Sequence, residues 1–260
     1  MDLLTLLSPR NLIIFMIIFT RLSGFAKSAP LLSTFPIPIQ VKTWFMATVA
    51  FLLFPILMHQ VTFPTPTTIP ELSFVLIKEF IIGYSIGFIA NIVFVATEIA
   101  AELVSMQMGL TAAQAMNPAT GDTSPVLGQA YTLIISMVFL SINAFGFLFA
   151  AIYKTFEIFP PSYQVVLAPQ FTHNFIQVTS QIFTIGFTIA LPLFSVLLIS
   201  DILLGFTAKM MPRMNIFTVA LPVKIWIGLG LLSMLLPQLY TTIKSIFEKY
   251  LTGIITILGG

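Results

Sequence analysis

Long apolar runs, broken by short proline-rich and polar segments, set the pattern of this chain. Six helical regions are expected, at 3–26, 41–60, 71–116, 126–160, 171–209 and 216–256, so the expected fold class is all-α. Helix-stopping chemistry marks each break. Pro30, Pro36 and Pro38 separate the first two regions, and Pro64, Pro66 and Pro70 in FPTPTTIP make a stiff, extended connector before the third. The run NPATGDTSP, from Asn117 to Pro125, ends the third. Pro160, Pro161 and Pro169 bracket the fourth connector, and Met211-Pro212-Arg213 forms the fifth.

Length and charge refine that pattern. The third region, about 45 residues, would reach about 68 Å as one helix, twice the hydrocarbon thickness. It must kink, fold back or leave the bilayer. The fourth (Val126 to Tyr153) and fifth (Asn174 to Ser200) have uncharged centres, and each could span on hydropathy alone. Pro192 and Pro222 predict kinks. The uncharged stretch between Arg10 and Arg21 is too short to span, so either the arginines snorkel or this helix packs on protein.

Composition places the surface against lipid or other protein almost everywhere. Of 260 residues, 58% are hydrophobic and 8% charged, against about 25% charged in soluble domains; mean hydropathy is +1.04. A net charge of +2 gives no nucleic-acid surface, and the absence of cysteine removes disulfide and thiolate chemistry. Asp2 stands where a signal peptide would carry a basic leader, and no cleavage site follows, which argues against a cleaved signal. Arg21, Lys27 and Lys42 surround the first connector, and Lys209 and Arg213 the fifth. Odd-numbered connectors are therefore expected on the cytoplasmic side, although Lys244 and Lys249 run against this orientation.

The remaining charges are few and informative. Between Leu191 and Leu231, Asp201, Lys209, Arg213 and Lys224 would each cost about 2.5–3.5 kcal/mol in hydrocarbon, so each is expected to have a protein partner or a path to water. Lys78 and Glu79 are adjacent, point about 100° apart on a helix and do not pair with each other. Glu98 and Glu102 share a helix face and repel unless one is protonated or a cation lies between them. They are either a proton or cation site, or partners for a neighbouring helix, a subunit or water.

Gly83-Tyr84-Ser85-Ile86-Gly87 matches a serine nucleophile elbow, but it lies inside an apolar helical run rather than at a strand-to-helix turn. The same glycines form GxxxG, which lets two helix backbones approach, and a tight helix contact is the better explanation. From Ser105 to Asn117 the chain turns to SMQMGLTAAQAMN, suited to a crowded interior or the wall of a wet cavity. Met210, Met211 and Met214 are conformable side chains for an irregular contact or a seal. No zinc, P-loop or paired-histidine spacing is present, so no enzyme, metal or cofactor is expected.

Several segments in order resemble the FliR family of flagellar export-gate subunits and their virulence-secretion relatives, the gates of type III secretion. They are Arg21-Leu22-Ser23-Gly24 with Pro30, Lys78-Glu79 leading into Gly83 and Gly87, Glu98 through Glu102, and Met106-Gln107-Met108-Gly109 with Asn117-Pro118. The most specific is Asp201-x-x-Leu204-Gly205, then Lys209-x-x-Pro212-x-Met214-Asn215-Ile216-Phe217, then Pro222-x-Lys224-Ile225.

The resemblance implies a multi-helix, non-enzymatic gate subunit with long kinked helices, a front region at 1–165 and a C-terminal helical hairpin region at 166–260. It implies assembly with two smaller hydrophobic gate subunits and the gate's switch protein, in the bacterial inner membrane at the flagellar basal body. Unfolded secreted proteins would be the substrates, with membrane lipid alongside and no nucleic acid. A plug is implied near 109–124, involving Met106, Met108, Gly109, Met116, Asn117, Pro118 and Gly121. Implied subunit contacts are Arg21, Lys78, Glu79, Gly83, Gly87, Glu98, Glu102, Asp201, Lys209, Met211, Pro212, Arg213, Met214, Asn215 and Lys224. In the fourth region, SINAFGFLFA stands where relatives often carry a Gly-His element, and no role is carried over there. Two other classes stay open: a proton- or cation-coupled secondary transporter using Glu79, Glu98, Glu102 and Asp201, and an intramembrane protease using Ser85.

Overall fold

The computed structural model describes residues 8–110, 126–162, 169–211 and 216–259. Among them are seven helices and no strand: α1 Pro9–Ser28, α2 Ile39–Gln60, α3 Ile69–Met108, α4 Val126–Ser141, α5 Ala144–Ile158, α6 Pro169–Met210 and α7 Ile216–Gly259. Five are long and apolar enough to cross a membrane, or six spans if the broken pair α4 and α5 counts as one.

Local chemistry sets the helix ends. Ser8 caps α1, its hydroxyl accepting from the Asn11 amide at 3.4 Å, and Pro9 occupies the first turn, where its missing N–H costs nothing. At the start of α3, Glu71 reaches back to accept from the Thr67 amide at 3.0 Å and the Thr67 hydroxyl at 3.2 Å. Pro169, expected to bracket a connector, does so as the first residue of α6, two residues before the expected start. Pro192 and Pro222, expected to kink, lie inside helices that continue past them.

Two expectations need correction. The third region does not run unbroken to 116: α3 ends at Met108, and Gly109 takes φ +76°, the left-handed geometry that closes helices. Residues 111–116 lie outside the described residues. The fourth region, expected as one helix over 126–160, is two. Asn143 sits at φ 52°, a conformation asparagine tolerates better than most residues. A Cβ on Gly146 would lie 2.8 Å from the Asn143 side-chain amide, so the glycine makes room for the break.

The described chain forms two units. The first, residues 1–92, 143–179 and 248–260, packs α1 against α2 and the first part of α3, with Phe25, Phe149 and Phe45 in successive ring contact. The second, residues 93–142 and 180–247, is centred on a triangle of Phe94, Phe139 and Phe247, with centroids 5.6–5.8 Å apart. Burial varies sharply along the spans. Of its most apolar stretch, α3 buries 67% inside the chain and α7 only 11%, which leaves α7 to lipid or partners.

Candidate functional site

In the first unit the glycines of α1 and α3 bring two backbones together. A Cβ on Gly83 would lie 1.8 Å from the Arg21 carbonyl oxygen, and one on Gly24 2.2 Å from that of Phe80. On Gly87 it would meet the Ser28 hydroxyl at 2.3 Å. That hydroxyl donates across the crossing to the Tyr84 carbonyl at 2.7 Å. Ser85 lies on the same stretch, buried, with its hydroxyl donating to the Ile81 carbonyl of its own helix at 2.8 Å. GxxxG packing therefore accounts for these residues, and no histidine is hydrogen-bonded to Ser85 among the described residues.

The crossing carries a buried ion pair. Arg21 donates from Nε to Glu79 Oε2 at 2.6 Å, and its Nη2 lies 2.5 Å from the same oxygen, with both side chains 0% exposed. Nη1 donates to the Thr155 hydroxyl at 3.2 Å and Nη2 to the Phe159 carbonyl at 2.9 Å. The guanidinium lies 3.8 Å from the centre of the Phe156 ring, a cation–π contact with the end of α5. One turn of sequence thus ties α1, α3 and α5 together. Glu79 Oε1 is buried without a hydrogen-bond partner. Beside it, Lys78 Nζ donates to the Ser162 hydroxyl at 2.9 Å and carbonyl at 3.2 Å. Arg21 therefore packs on protein rather than snorkelling, and Lys78 and Glu79 indeed point to different partners.

In the second unit, Asp201 of α6 pairs with Lys224 of α7 and also accepts from the Gln107 amide of α3 at 2.6 Å. Its side chain is 38% exposed and that of Lys224 19%, so this pair keeps contact with the surroundings. The end of α3 is held from the other side. A Cβ on Gly228 would meet Met108 at 2.5 Å, and Leu221 packs beside Gly109.

The remaining candidate charges and methionines that are described lie outward. Glu98, Glu102 and Lys209 are exposed and have no ion-pair or hydrogen-bond partner among the described residues. Met106, Met210 and Met211 are 58%, 82% and 50% exposed. Met116, Asn117, Pro118, Gly121, Pro212, Arg213, Met214 and Asn215 lie outside the described residues, as does most of the expected plug. Arg21, Glu79, Gly83 and Gly87, expected at contacts between subunits, are placed within one unit of this chain; Asp201 and Lys224 are paired within the other.

Sequence reasoning passed over Thr155, Phe156 and Phe159, which complete the arginine's surroundings. Nothing in KTFEIF distinguishes them from ordinary helix content. Gly228 was also missed: it closely approaches Met108 while its neighbour Gly230 faces open space, so the glycines of IGLG do not by themselves tell which one packs. Among the described residues no group of acids and histidines could hold a metal ion.

The family described as "Bacterial export proteins, family 1" matches residues 12–250. The chain is 28% identical over 237 residues to the flagellar biosynthetic protein FliR of Bacillus subtilis, covering 90% of each chain. It is 27% identical over 236 residues to FliR of Escherichia coli, covering 88% of this chain and 86% of the relative. Yop proteins translocation protein T of Yersinia pestis is 30% identical over 148 residues, 56% of this chain and 57% of its own.

Proposed function

The chain belongs to the bacterial export proteins, family 1, and we propose that it is a membrane subunit of a type III secretion export apparatus, serving flagellar assembly. In this reading it forms part of a gated, protein-conducting channel in the inner membrane at the basal body, through which unfolded substrates pass. The observation that carries it is the match to flagellar relatives over about nine-tenths of both chains. The geometry is in keeping. Charged groups that can be satisfied within the chain are so paired, while Glu98, Glu102 and Lys209 stand on outer faces of apolar helices, where companion subunits would meet them.

The role is structural rather than enzymatic. Two smaller hydrophobic subunits and a switch protein are the expected companions, docked on the apolar faces of α6 and α7 in the hairpin region at 166–260. The front region at 1–165 carries the plug, residues 109–124, which follows Gly109. Motive force would come from other components.

The test is mass analysis of the detergent-extracted, tagged chain, together with secretion after deletion of its gene. Co-purification with two small hydrophobic subunits, and loss of flagellar protein secretion on deletion, are expected. A lone monomer that moves a small solute in liposomes would sink the reading. Removing residues 109–124 should raise the resting ion leak of the assembled complex; unchanged conductance would refute a plug there.

A further inference from the structure

We propose that the cavity between the end of α1 and the start of α2 binds the phosphate-bearing headgroup of an anionic phospholipid. The cavity holds about 280 Å³ and is lined by Ser23, Lys27, Ser33, Lys42 and Thr43, with Met46 on its apolar side. That volume is just below the roughly 300–1,000 Å³ of small-molecule pockets, room for a headgroup but not for two acyl chains.

Charge is the first reason. Lys27 and Lys42 come from different helices and line one small space, and neither has an ion-pair partner among the described residues. Two ammonium groups at one cavity repel unless an anion lies between them. Ser33 and Thr43 donate their hydroxyl protons to the carbonyls of Ala29 at 2.9 Å and Ile39 at 2.7 Å. The donors left for a ligand are thus the two lysines and the Ser23 hydroxyl. At the same place α2 begins at Ile39, and Pro38 before it offers no side-chain cap, which leaves a weak positive end.

Preformation is the second. The connector between α1 and α2 is closed by its own backbone hydrogen bonds: Leu32 to Pro30 at 2.7 Å, Ser33 to Ala29 at 3.0 Å and Phe35 to Leu31 at 3.1 Å. Leu31 is held at φ 62°, costly for a leucine, so this wall is fixed rather than slack.

The surroundings favour a lipid over a soluble anion. Both helices are long and apolar enough to cross a membrane, and the cavity lies where one ends and the next begins. Near Lys42, Ile39 is 74% exposed, Val41 56% and Trp44 75%. A tryptophan at the end of a span belongs at headgroup depth, and basic pockets between spans recognise acidic headgroups. A free phosphate would make no use of that apolar rim.

The inference is independent of the export role. The full chain, extracted with its companion subunits, would be titrated with dioleoyl phosphatidylglycerol or dioleoyl phosphatidylcholine and read by native mass spectrometry. Retention of the phosphatidylglycerol is expected to exceed that of phosphatidylcholine on the order of tenfold. Lys27→Gln with Lys42→Gln should abolish the preference, and Lys154→Gln, an exposed lysine of α5, should keep it. Equal retention of the two lipids, an unchanged double variant, or equal loss in the Lys154 control would overturn the proposal. Displacement by millimolar inorganic phosphate would mark a free-anion site and overturn the lipid assignment. Loss of a subunit from the double variant, with lipid retention intact, would assign the cavity to a protein carboxylate instead.

Discussion

Arg21–Glu79 and Lys224–Asp201 are both ion pairs within apolar helices, yet they have been brought out of water to different degrees. The first is 0% exposed on both sides and surrounded by Thr155, Phe156 and the Phe159 carbonyl. The second is 19% and 38% exposed and shares its carboxylate with Gln107. A fully dehydrated pair has no water to fall back on when one member is removed, whereas a half-exposed one does. The first pair therefore acts as an internal lock for its unit, and the second as an adjustable clasp between α6 and α7.

The largest expected effect comes from breaking the lock on one side. Arg21→Ala leaves the Glu79 carboxylate buried without a counter-charge, a loss of about 3–5 kcal/mol. The chain should then fail to accumulate in membranes, or melt far below the parent in detergent. Replacing both members, Arg21→Met with Glu79→Leu, removes the stranded charge and should recover much of the stability. If the single and double variants fell equally, the difference drawn between the two pairs would be wrong.

Next in size are the glycines that let the lock form. Gly83→Ala drives a methyl group into the Arg21 carbonyl, a contact of 1.8 Å that only a backbone shift relieves. About 1–3 kcal/mol is expected, seen as a lower melting temperature. Two residues along, Ser85→Ala removes only a bond within its own helix and should change stability by about 0.5 kcal/mol or less. Unimpaired secretion by Ser85→Ala would also dispose of a serine protease. A melting temperature untouched by Gly83→Ala would mean that the helices are not held this closely.

The clasp should respond more mildly. Asp201→Asn keeps an acceptor near Gln107 but removes the charge opposite Lys224, a change of about 1 kcal/mol or less for a pair still open to its surroundings. Salt separates the two pairs most cleanly. Raising ionic strength from about 0.1 to 1 M should shrink the Asp201→Asn effect, and leave that of Arg21→Ala in place. Equal salt sensitivity would erase the distinction.

Much of this architecture was legible in the chain, and the failures have physical causes. Helix positions followed from apolar runs and proline-rich breaks, because both report local chemistry: α2 was expected at 41–60 and is Ile39–Gln60. The break at Asn143 was hidden, since no proline marks it and both sides are equally apolar. Only an asparagine that tolerates positive φ, three residues before a space-giving glycine, hinted at it. The close approach at Gly83 and Gly87 was readable as GxxxG, but not its partner strip on α1. Likewise the unusual charges stood out at once, whereas their pairing did not. Arg21 meets Glu79 58 positions away and Thr155 134 positions away, and the periodicity of one helix cannot tell which other helix lies beside it.

The smallest effect on the chain itself, and the most telling for its assembly, is expected at Glu98 and Glu102. Both are exposed and without an ion-pair or hydrogen-bond partner among the described residues, so no intrachain bond is lost when they are neutralised. Glu98→Gln with Glu102→Gln should leave the melting temperature of the isolated chain within the range of about 0.5 kcal/mol typical of such surface changes. It also removes two like charges one turn apart, which adds a slight gain. Should these carboxylates dock a cationic neighbour, the same double variant loses a companion subunit on purification, and a lysine at either position loses it more completely. A stable chain whose complex falls apart is the expected pair of results. A destabilised chain in an intact complex would place these acids with the lock and the clasp, inside the fold, rather than at its boundary.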